Sequence, residues 1–298
     1  MASPGRRLDD NAPGEFYVDS TCIDCAVCRW IAPEVFADAS DHSFVSRQPV
    51  DDSGRLAAMR ALVSCPTSSI GTTSKLDVAR AVAAFPERIE DEVYFCGFTS
   101  EDSFGAASYL IRRPDGNILV DSPRAAGPLL SRLEKLGGVS MMFLTHRDDV
   151  ADHEAFRRRF GCRRVMHAAD VTRRTRGIET NLEGNEPAVL APGLVAIPTP
   201  GHTRGHAVLL CDQKWLFSGD HLAWSPRLGH LYAFYDACWY SWSEQIASME
   251  RLREHRFEWV LPGHGWRYGP VSPGAMRAEI SWCLDWMKRR DHGQDEAG

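Results

Sequence analysis

The chain has 298 residues, of which 44% are hydrophobic and 25% are charged, so its composition is that of a globular protein rather than a disordered one. Its formal net charge of −6 argues against general binding to nucleic acids. No apolar run approaches the roughly 18 residues that a membrane helix needs, and the N-terminus lacks the apolar stretch of a secretory signal. We therefore expect a cytoplasmic protein that binds neither nucleic acid nor membrane.

The distribution of cysteines divides the chain. In a reducing cytoplasm, clustered cysteines serve as metal ligands or reactive groups more often than as disulfides. The clustered cysteines all precede residue 86, whereas short strands and helices alternate after residue 91. We predict four parts: a disordered leader over 1–13, a small cysteine-rich domain over 14–86, a larger domain over 87–290 and a frayed tail over 291–298.

The small domain carries four cysteines with the spacing of cluster ligands. Cys22, Cys25 and Cys28 are each three residues apart, and Cys65 is followed by Pro66. Three thiolates on one tight loop can hold one face of a cuboidal cluster, and the Cys-Pro pair then supplies the fourth ligand. A structural zinc site would also accept four thiolates, but this spacing favours iron and sulfur.

Residues 14–75, with CIDCAVCRWIAPEVF followed later by SCPTSSI, resemble the single-cluster bacterial ferredoxins. The resemblance implies a ferredoxin-like α+β domain with one 4Fe–4S cluster, or a 3Fe–4S form if one iron is labile. Residues 14–52 contain eight acidic and two basic residues. This acidic surface either steers a basic redox partner protein or only contributes to solubility.

The larger domain is predicted to begin with three strands over 93–98, 107–113 and 117–122, the last two joined by an Asp-Gly turn. A helix with a glycine stop and a buried strand over 139–146 follow. Later in the chain, a helix over 241–255 places Trp242, Ile246, Met249 and Leu252 on one face. A terminal helix is predicted over about 273–289.

Four segments bring histidine or aspartate to the end of a predicted strand: LTHRDDVADH (144–153), TPGHTRGH (199–206), SGDH (218–221) and LPGHG (261–265). Loops that leave strands at one sheet edge converge, and imidazoles with carboxylates bind divalent metals. In order and spacing these segments, with the preceding LVDSP (119–123), resemble the metallo-β-lactamase superfamily over residues 91–288. The resemblance implies an α/β fold, an αββα sandwich with two divalent metals, zinc or iron, at one edge.

The resemblance assigns six ligands by motif: His146 and His202 for the first ion, Asp152, His153 and His264 for the second, and Asp220 bridging both. The usual first motif is H-x-H-x-D-H, but here the Asp-His pair comes two residues later. Either Asp148 replaces the second histidine or the first ion lacks that ligand. We favour Asp148, because a carboxylate is a competent hard ligand, with Asp149 as the alternative.

Three features near these motifs have open interpretations. His206 is predicted to be a hydrogen-bonding neighbour of the site and His221 a structural residue. An aromatic segment either walls a substrate pocket or packs in the core: Trp224, Tyr232, Phe234, Tyr235, Trp239 and Tyr240. Eight arginines over 157–176 indicate an anionic substrate, a docking surface for the acidic domain or, as we favour, a solvated helix face.

The first functional hypothesis is a metallohydrolase in which a metal-bound hydroxide attacks an ester, thioester, lactone or phosphodiester of a small molecule, with Asp152 orienting the nucleophile. Hydrolysis needs no electrons, so the cluster would be structural or would gate the enzyme. The second hypothesis is a di-iron oxidoreductase that receives electrons from the fused ferredoxin domain. The third is a non-enzymatic redox or metal sensor.

Overall fold

The structure is a computed structural model that describes residues 2–291. Its backbone contacts divide the chain into two compact units. The first unit runs to Met142 and includes Asp148–Cys162, and the second consists of Phe143–Arg147 and the chain from Arg163 onwards. The predicted boundary near residue 86 divides the chain differently and stays a prediction. None of the helices within residues 2–291 is long and apolar enough to span a membrane.

The elements of the two units are short. The helices are α1 (Val27–Ile31), α2 (Asp52–Ser64), α3 (Ala79–Ala83), α4 (Gly127–Lys135), α5 (His153–Phe160), α6 (Trp242–Leu252) and α7 (Pro273–Asp291). The first nine strands are β1 (Phe16–Val18), β2 (Phe36–Asp38), β3 (Ser43–Val45), β4 (Ile70–Thr72), β5 (Glu87–Glu90), β6 (Val93–Phe95), β7 (Tyr109–Ile111), β8 (Ile118–Val120) and β9 (Met141–Phe143). The other nine are β10 (Arg163–His167), β11 (Thr180–Leu182), β12 (Ala188–Ala191), β13 (Leu194–Pro198), β14 (Ala207–Cys211), β15 (Trp215–Gly219), β16 (Ala223–Ser225), β17 (His230–Tyr232) and β18 (Trp259–Pro262).

The N-terminal part of the first unit contains two antiparallel strand pairs, β1 with β4 and β2 with β3. The helix α2 begins after Asp51, whose carboxylate accepts a hydrogen bond of 2.7 Å from the amide of Gly54. This is the N-cap arrangement that satisfies an otherwise unpaired amide of the first helical turn. The helix ends directly before Cys65, and its geometry therefore sets the position of that thiol.

The disordered leader over 1–13 stays a prediction, and the structure gives one residue of this segment specific contacts with the strands that follow. Asn11 is buried, and its side chain donates to the carbonyl of Val18 at 2.8 Å and accepts from the amides of Val18 at 2.9 Å and Val45 at 3.0 Å. One asparagine can satisfy several backbone groups of two strands at once, which orders a polar segment without an apolar core. Of the predicted tail, Asp291 ends α7, and residues 292–298 lie outside the described residues.

The rest of the first unit is built on an antiparallel meander in which β5, β6, β7 and β8 pair in chain order. The predicted hairpin is confirmed, because Tyr109 pairs with Val120 and Ile111 with Ile118. The strand β9 lies beside β8. The ring of Phe95 on β6 meets the ring of Trp30 on α1 edge to face at a centroid distance of 4.8 Å. The cysteine-bearing segment and the meander therefore share one aromatic core.

The second unit contains a sheet in which β12, β13, β14 and β15 are antiparallel and β18 runs parallel to β15. Gly219 at the end of β15 pairs with Pro262 at the end of β18. Pro198, which ends β13, pairs with Ala207, which begins β14. The loops that follow β13, β15 and β18 consequently leave the sheet at one edge, as the strand-end argument predicts.

The helices of the second unit cover this sheet. Met249 and Leu252 are buried in the same cluster as residues of β14, β15 and α7, and Trp242 and Ile246 pack against it. The predicted apolar face of α6 is therefore confirmed. The helix α6 begins after Ser241, whose hydroxyl accepts from the amide of Glu244.

Candidate metal centres

The four clustered cysteines line one cavity in the first unit, together with Ser43, Pro66 and residues of β1 and β4. None of the nine cysteines, all of which lie within residues 2–291, forms a disulfide. Cys28 and Cys65 are buried, and Cys22 and Cys25 are half-buried. The structure thus brings the four predicted cluster ligands together.

The loop that carries three of these thiols is held in an unusual backbone conformation. Asp24 and Ala26 adopt left-handed conformations with φ of 58° and 63°, which cost roughly 1–2 kcal/mol for residues with a Cβ atom. The buried guanidinium of Arg29 binds the carboxylates of Asp24 at 2.9 Å and Asp38 at 2.5 Å. These charged contacts fix the position of Asp24 within the loop.

The sulfur atoms lie in surroundings that suit thiolate ligands of a bound cluster. The amide of Ser69 donates to Cys65 Sγ at 3.3 Å, and the amide of Ser43 donates to Cys22 Sγ at 3.5 Å. Burial raises the pKa of the Cys28 thiol to about 12 and also raises that of Cys25. Thiolates are stable here only with positive charge beside them, so cluster assembly would release protons.

Gly105, in the loop between β6 and β7, lies directly against Cys25. It has a φ of +84°, and a Cβ atom added there would lie 2.8 Å from Cys25 Sγ and 3.3 Å from Pro66 Cγ. Only glycine allows this close approach of the backbone to the sulfur. The donor chemistry, the amide donors and this close approach together fit an iron–sulfur cluster.

The second unit gathers three histidines around one buried carboxylate. His264 Nδ1 lies 2.8 Å from Asp220 Oδ1, and the Nε2 atoms of His146 and His202 each lie 3.7 Å from Asp220 Oδ2. Burial alone would raise the pKa of Asp220, but the neighbouring imidazoles of His264, His146 and His202 hold it well below its ordinary value. An ionised carboxylate surrounded by imidazoles is a donor set that divalent metals prefer, so these residues fit the predicted metals.

Neighbouring side chains orient this group. Thr145 Oγ1 lies 3.0 Å from His146 Nδ1, which leaves Nε2 as the nitrogen directed at Asp220. His206 Nδ1 lies 2.8 Å from Thr199 Oγ1, and its Nε2 accepts from the amide of Asp220 at 3.2 Å. Both ring nitrogens of His206 are thus engaged with the protein, so its role is to position Asp220 rather than to bind metal.

The backbone approaches the centre closely at Gly219. Its φ is +49°, and a Cβ atom there would lie 2.6 Å from Thr145 Oγ1 and 2.8 Å from His206 Nε2. The SGD sequence therefore has a steric reason for its glycine.

His221, which follows Asp220, is fully buried. Burial lowers its pKa to about 3, and neither ring nitrogen has a hydrogen-bond partner within residues 2–291.

Sequence patterns do not identify Asp170, which joins two ligand-bearing segments of the second unit. One carboxylate oxygen accepts from the amide of Arg147 at 3.1 Å and from the hydroxyl of Thr203 at 2.5 Å, and the other accepts from the amide of Gly205 at 2.7 Å. Arg147 directly follows His146, and Thr203 and Gly205 follow His202 in the next three residues. Asp170 is itself buried and ends the 3-10 turn Ala168–Asp170 that follows β10, outside the four motifs.

Replacing Asp170 with asparagine should destabilise the protein by about 2 kcal/mol or more, because an amide nitrogen would face a buried donor. Distortion of the two ligand loops should also weaken metal binding by roughly 10–100-fold. Urea unfolding and zinc titration check the two effects. The exposed Asp212→Asn is the control, and equal behaviour of the two variants would contradict the role assigned to Asp170.

The remaining predicted ligands belong to the first unit. Asp152 precedes α5, and its Oδ2 accepts from the amide of Ala125 at 2.8 Å. His153 begins α5 and is buried. Asp149 is buried as well, whereas Asp148 is exposed. The membership of these residues in the metal centre stays a prediction.

The aromatic segment after Asp220 is divided between two roles. Trp224 stacks on Tyr268 at a centroid distance of 4.3 Å, and Tyr232 packs against the core cluster. By contrast, Trp239 is 62% exposed, its ring centroid lies 6.3 Å from that of His202, and its amide donates to the carbonyl of His202. The first residues of the segment thus pack in the core, whereas Trp239 near its end presents an exposed aromatic ring beside the predicted ligand His202.

The arginines over 157–176 also differ in their surroundings. Arg164 is buried and forms a paired contact with the carboxylate of Glu179, at 3.1 Å from Nε and 3.0 Å from Nη2. Arg159 is exposed on α5 and binds Glu134 at 2.5 Å. These contacts have structural explanations, and the proposal of an anionic substrate receives no support from them.

Two family models match the chain. A model described as the 4Fe-4S single cluster domain of Ferredoxin I matches residues 18–72. A model described as the metallo-beta-lactamase superfamily matches residues 89–271, which is more than half of the chain. Both matches confirm the families predicted from the cysteine spacing and from the four strand-end motifs.

One curated relative is a hydroxyacylglutathione hydrolase of Rhodospirillum rubrum, 33% identical over 129 residues. The match covers 42% of this chain and 50% of the relative, so the chain spans about half the length of that protein. Among solved structures, a metallo-beta-lactamase from Pontibacter korlensis has a TM-score of 0.51 at 17% identity and covers 67% of this chain and 97% of that one. A metallo-beta-lactamase of Cronobacter sakazakii has a TM-score of 0.50 at 17% identity, with 70% and 98% covered. These structures confirm the predicted fold class.

Proposed function

Because the chain belongs to the metallo-β-lactamase superfamily, we propose that it is a metal-dependent hydrolase that cleaves a small-molecule thioester. The observation that carries the proposal is the ionised, buried carboxylate of Asp220 with three imidazoles around it. The thioester is chosen because the curated relative is named for hydrolysis of an acylated glutathione. An acyl group on the sulfur of glutathione is a thioester.

The ligands that we propose are His146, His202, Asp220 and His264 of the second unit together with Asp148, Asp152 and His153 of the loop that directly follows His146. Two divalent ions bound by these residues would supply a nucleophilic water at neutral pH and polarise the substrate carbonyl. The contacts of Asp220 and His264 support this ligand set in the second unit. For the loop residues the support is their motif.

The chain's own groups would orient the reaction. Asp152 would hold the attacking water and accept its proton, and the hydrogen bond from the amide of Ala125 to its Oδ2 supports this role by fixing the carboxylate. His206 fixes the backbone of Asp220. The exposed face of Trp239 beside His202 offers an apolar surface for the acyl group.

The test is release of free thiol from a hydroxyacyl thioester of glutathione by full-length protein purified without oxygen. We expect kcat/KM of roughly 10⁴ M⁻¹s⁻¹ or more, abolition by a chelator and recovery when divalent metal is returned. A protein with two divalent ions per chain and no thiol release above the blank would refute the thioester. Lactone and phosphodiester substrates would then be compared.

A di-iron oxidoreductase is the second candidate, and the four cysteines lining one cavity favour it. A cluster of ferredoxin type transfers electrons, which hydrolysis does not require. Iron at the second centre, with oxygen consumption that depends on a reductant, would support this candidate. Zinc at that centre with thioesterase activity would contradict it.

A further inference from the structure

Hydrogen bonds join the fourth cysteine ligand of the cluster site to the carboxylate of Asp152, all within the first unit. The path begins at the C-terminal end of α2, where Val63 and Ser64 directly precede Cys65. Its middle consists of Thr99 and of the segment that follows β8. Its far end is the amide of Ala125, which donates to Asp152.

The first step is a cap on α2. The last carbonyls of a helix lack partners within the helix and carry partial negative charge. Thr99, fully buried, donates its hydroxyl to the carbonyl of Ser64 at 2.7 Å, and Arg124 Nη2 donates to the carbonyl of Val63 at 3.2 Å. A hydroxyl and a guanidinium, both from outside the cysteine-rich segment, therefore determine where α2 ends and where Cys65 lies.

The second step runs along the backbone from Arg124. Its amide donates to the carbonyl of Phe98 at 2.9 Å, and the amide of Ala125, the next residue, donates to Asp152 Oδ2 at 2.8 Å. Because the two residues share a peptide bond, a shift of Arg124 rotates the amide that orients Asp152. The residue that caps α2, Arg124, and the residue whose amide binds Asp152, Ala125, are therefore adjacent in the chain.

A second contact ties the same loop to the cluster cavity. Thr99 and Gly105 both belong to the loop between β6 and β7, and Gly105 lies against Cys25 with no room for a Cβ atom. A change in the volume or position of the cluster at Cys25 therefore pushes on the loop that carries Thr99. The cap on α2 is therefore linked to Cys65 through Ser64 and to Cys25 through the loop that carries Thr99 and Gly105.

We propose that Arg124 is a positioning residue that makes the orientation of Asp152, and with it the affinity of the second metal, depend on whether the iron–sulfur cluster is bound. The cluster then acts as a condition for activity rather than as an electron carrier for the reaction. This inference rests on the proposed ligand role of Asp152. The coupling gives a reason for an iron–sulfur cluster in a hydrolase, a reaction that needs no electrons.

The experiment is a double-mutant cycle on the full chain with Cys22→Ser, which removes the cluster without touching the cap, and Arg124→Gln. Zinc affinity is measured by titration in the parent, both single variants and the double variant. We expect each single change to weaken binding of one zinc ion by roughly 10-fold or more, as for residues that orient metal ligands. The double variant should be no weaker than the weaker single variant.

Amide hydrogen exchange gives a readout that does not depend on metal. The Ala125 amide should exchange at least about 10-fold faster in Cys22→Ser and in Arg124→Gln than in the parent. Arg112→Gln, which removes an exposed ion pair with Glu92 on the same sheet, is the matched control and should leave exchange and affinity unchanged. If Arg124→Gln does not fold, Thr99→Val cuts the parallel contact to Ser64.

The outcomes separate the two proposals. Zinc affinity that is equal with and without the cluster, or effects of the two changes that add in full, would overturn the coupling and leave the hydrolase intact. Asp152→Asn with unchanged zinc affinity and unchanged thiol release would overturn the ligand role of Asp152 and the coupling with it. A protein without thioesterase activity that still shows the expected changes in amide exchange and zinc affinity would overturn the proposed thioester hydrolysis and leave the coupling intact.

Discussion

Asp220→Asn is expected to remove metal from the centre of the second unit and to slow thioester hydrolysis by at least about 10³-fold, or about 4 kcal/mol of transition-state stabilisation. The side chain keeps its size, but a neutral amide has one acceptor oxygen in place of two. It therefore cannot bridge two cations or balance the imidazoles of His146, His202 and His264. Elemental analysis and thiol-release kinetics on the same preparation measure the two effects.

The matched control is Asp236→Asn, which changes an exposed aspartate of the loop between β17 and α6. It should leave metal content and rate unchanged. Retention of two metals per chain by Asp220→Asn would contradict the bridging role of the carboxylate. Retention of full activity would in addition contradict a hydrolytic centre at this position.

Cys65→Ser is expected to lower bound iron from about four atoms per chain to less than one, with loss of the visible absorption of the cluster. A serine hydroxyl is a poor ligand for iron, and no other cysteine lines this cavity beside Cys22, Cys25 and Cys28 in the part of the chain that the structure describes. Iron analysis and the absorption spectrum of anaerobically purified protein provide the measurement.

Cys238→Ser is the comparison for this variant, because its half-buried thiol donates to the carbonyl of Gly201 in the second unit. It should retain full iron. Iron that survives in Cys65→Ser but is lost in Cys238→Ser would show that the cluster is held elsewhere. Zinc in place of iron in the parent protein would contradict the cluster itself.

Residue types and their spacing predicted those features that depend on short stretches of sequence. The three cysteines at intervals of three and the Cys-Pro pair predicted the four thiols that line one cavity, and the Asp-Gly turn predicted the hairpin of β7 and β8. The strand-end motifs predicted that His146, His202, Asp220 and His264 lie together, because parallel strand ends bring loops to one edge whatever the details of packing.

Contacts between distant segments could not be predicted in this way. Asp170 binds partners 23 and 35 residues away, and Arg124 binds a carbonyl 61 residues away. Neither residue belongs to a periodic pattern or a spaced motif. The contacts of residues 2–13 could not be predicted for the same reason, since the amide that donates to Asn11 Oδ1 belongs to Val45, 34 residues further on.

The aromatic segment shows a further limit of sequence reasoning. Its residues are alike in type, yet Trp224 packs face to face on Tyr268 while Trp239 is largely exposed next to His202. Composition predicts that such residues contact apolar groups. Whether those groups belong to the core or to a substrate depends on which side of the loop faces the sheet.

The most direct test of a cluster and a hydrolytic metal pair in one chain is the amount of iron and zinc per chain in protein purified without oxygen. We predict about four irons and two zincs. About six irons with little zinc would contradict the hydrolase and favour a di-iron oxidoreductase. Zinc with no iron would contradict the iron–sulfur cluster.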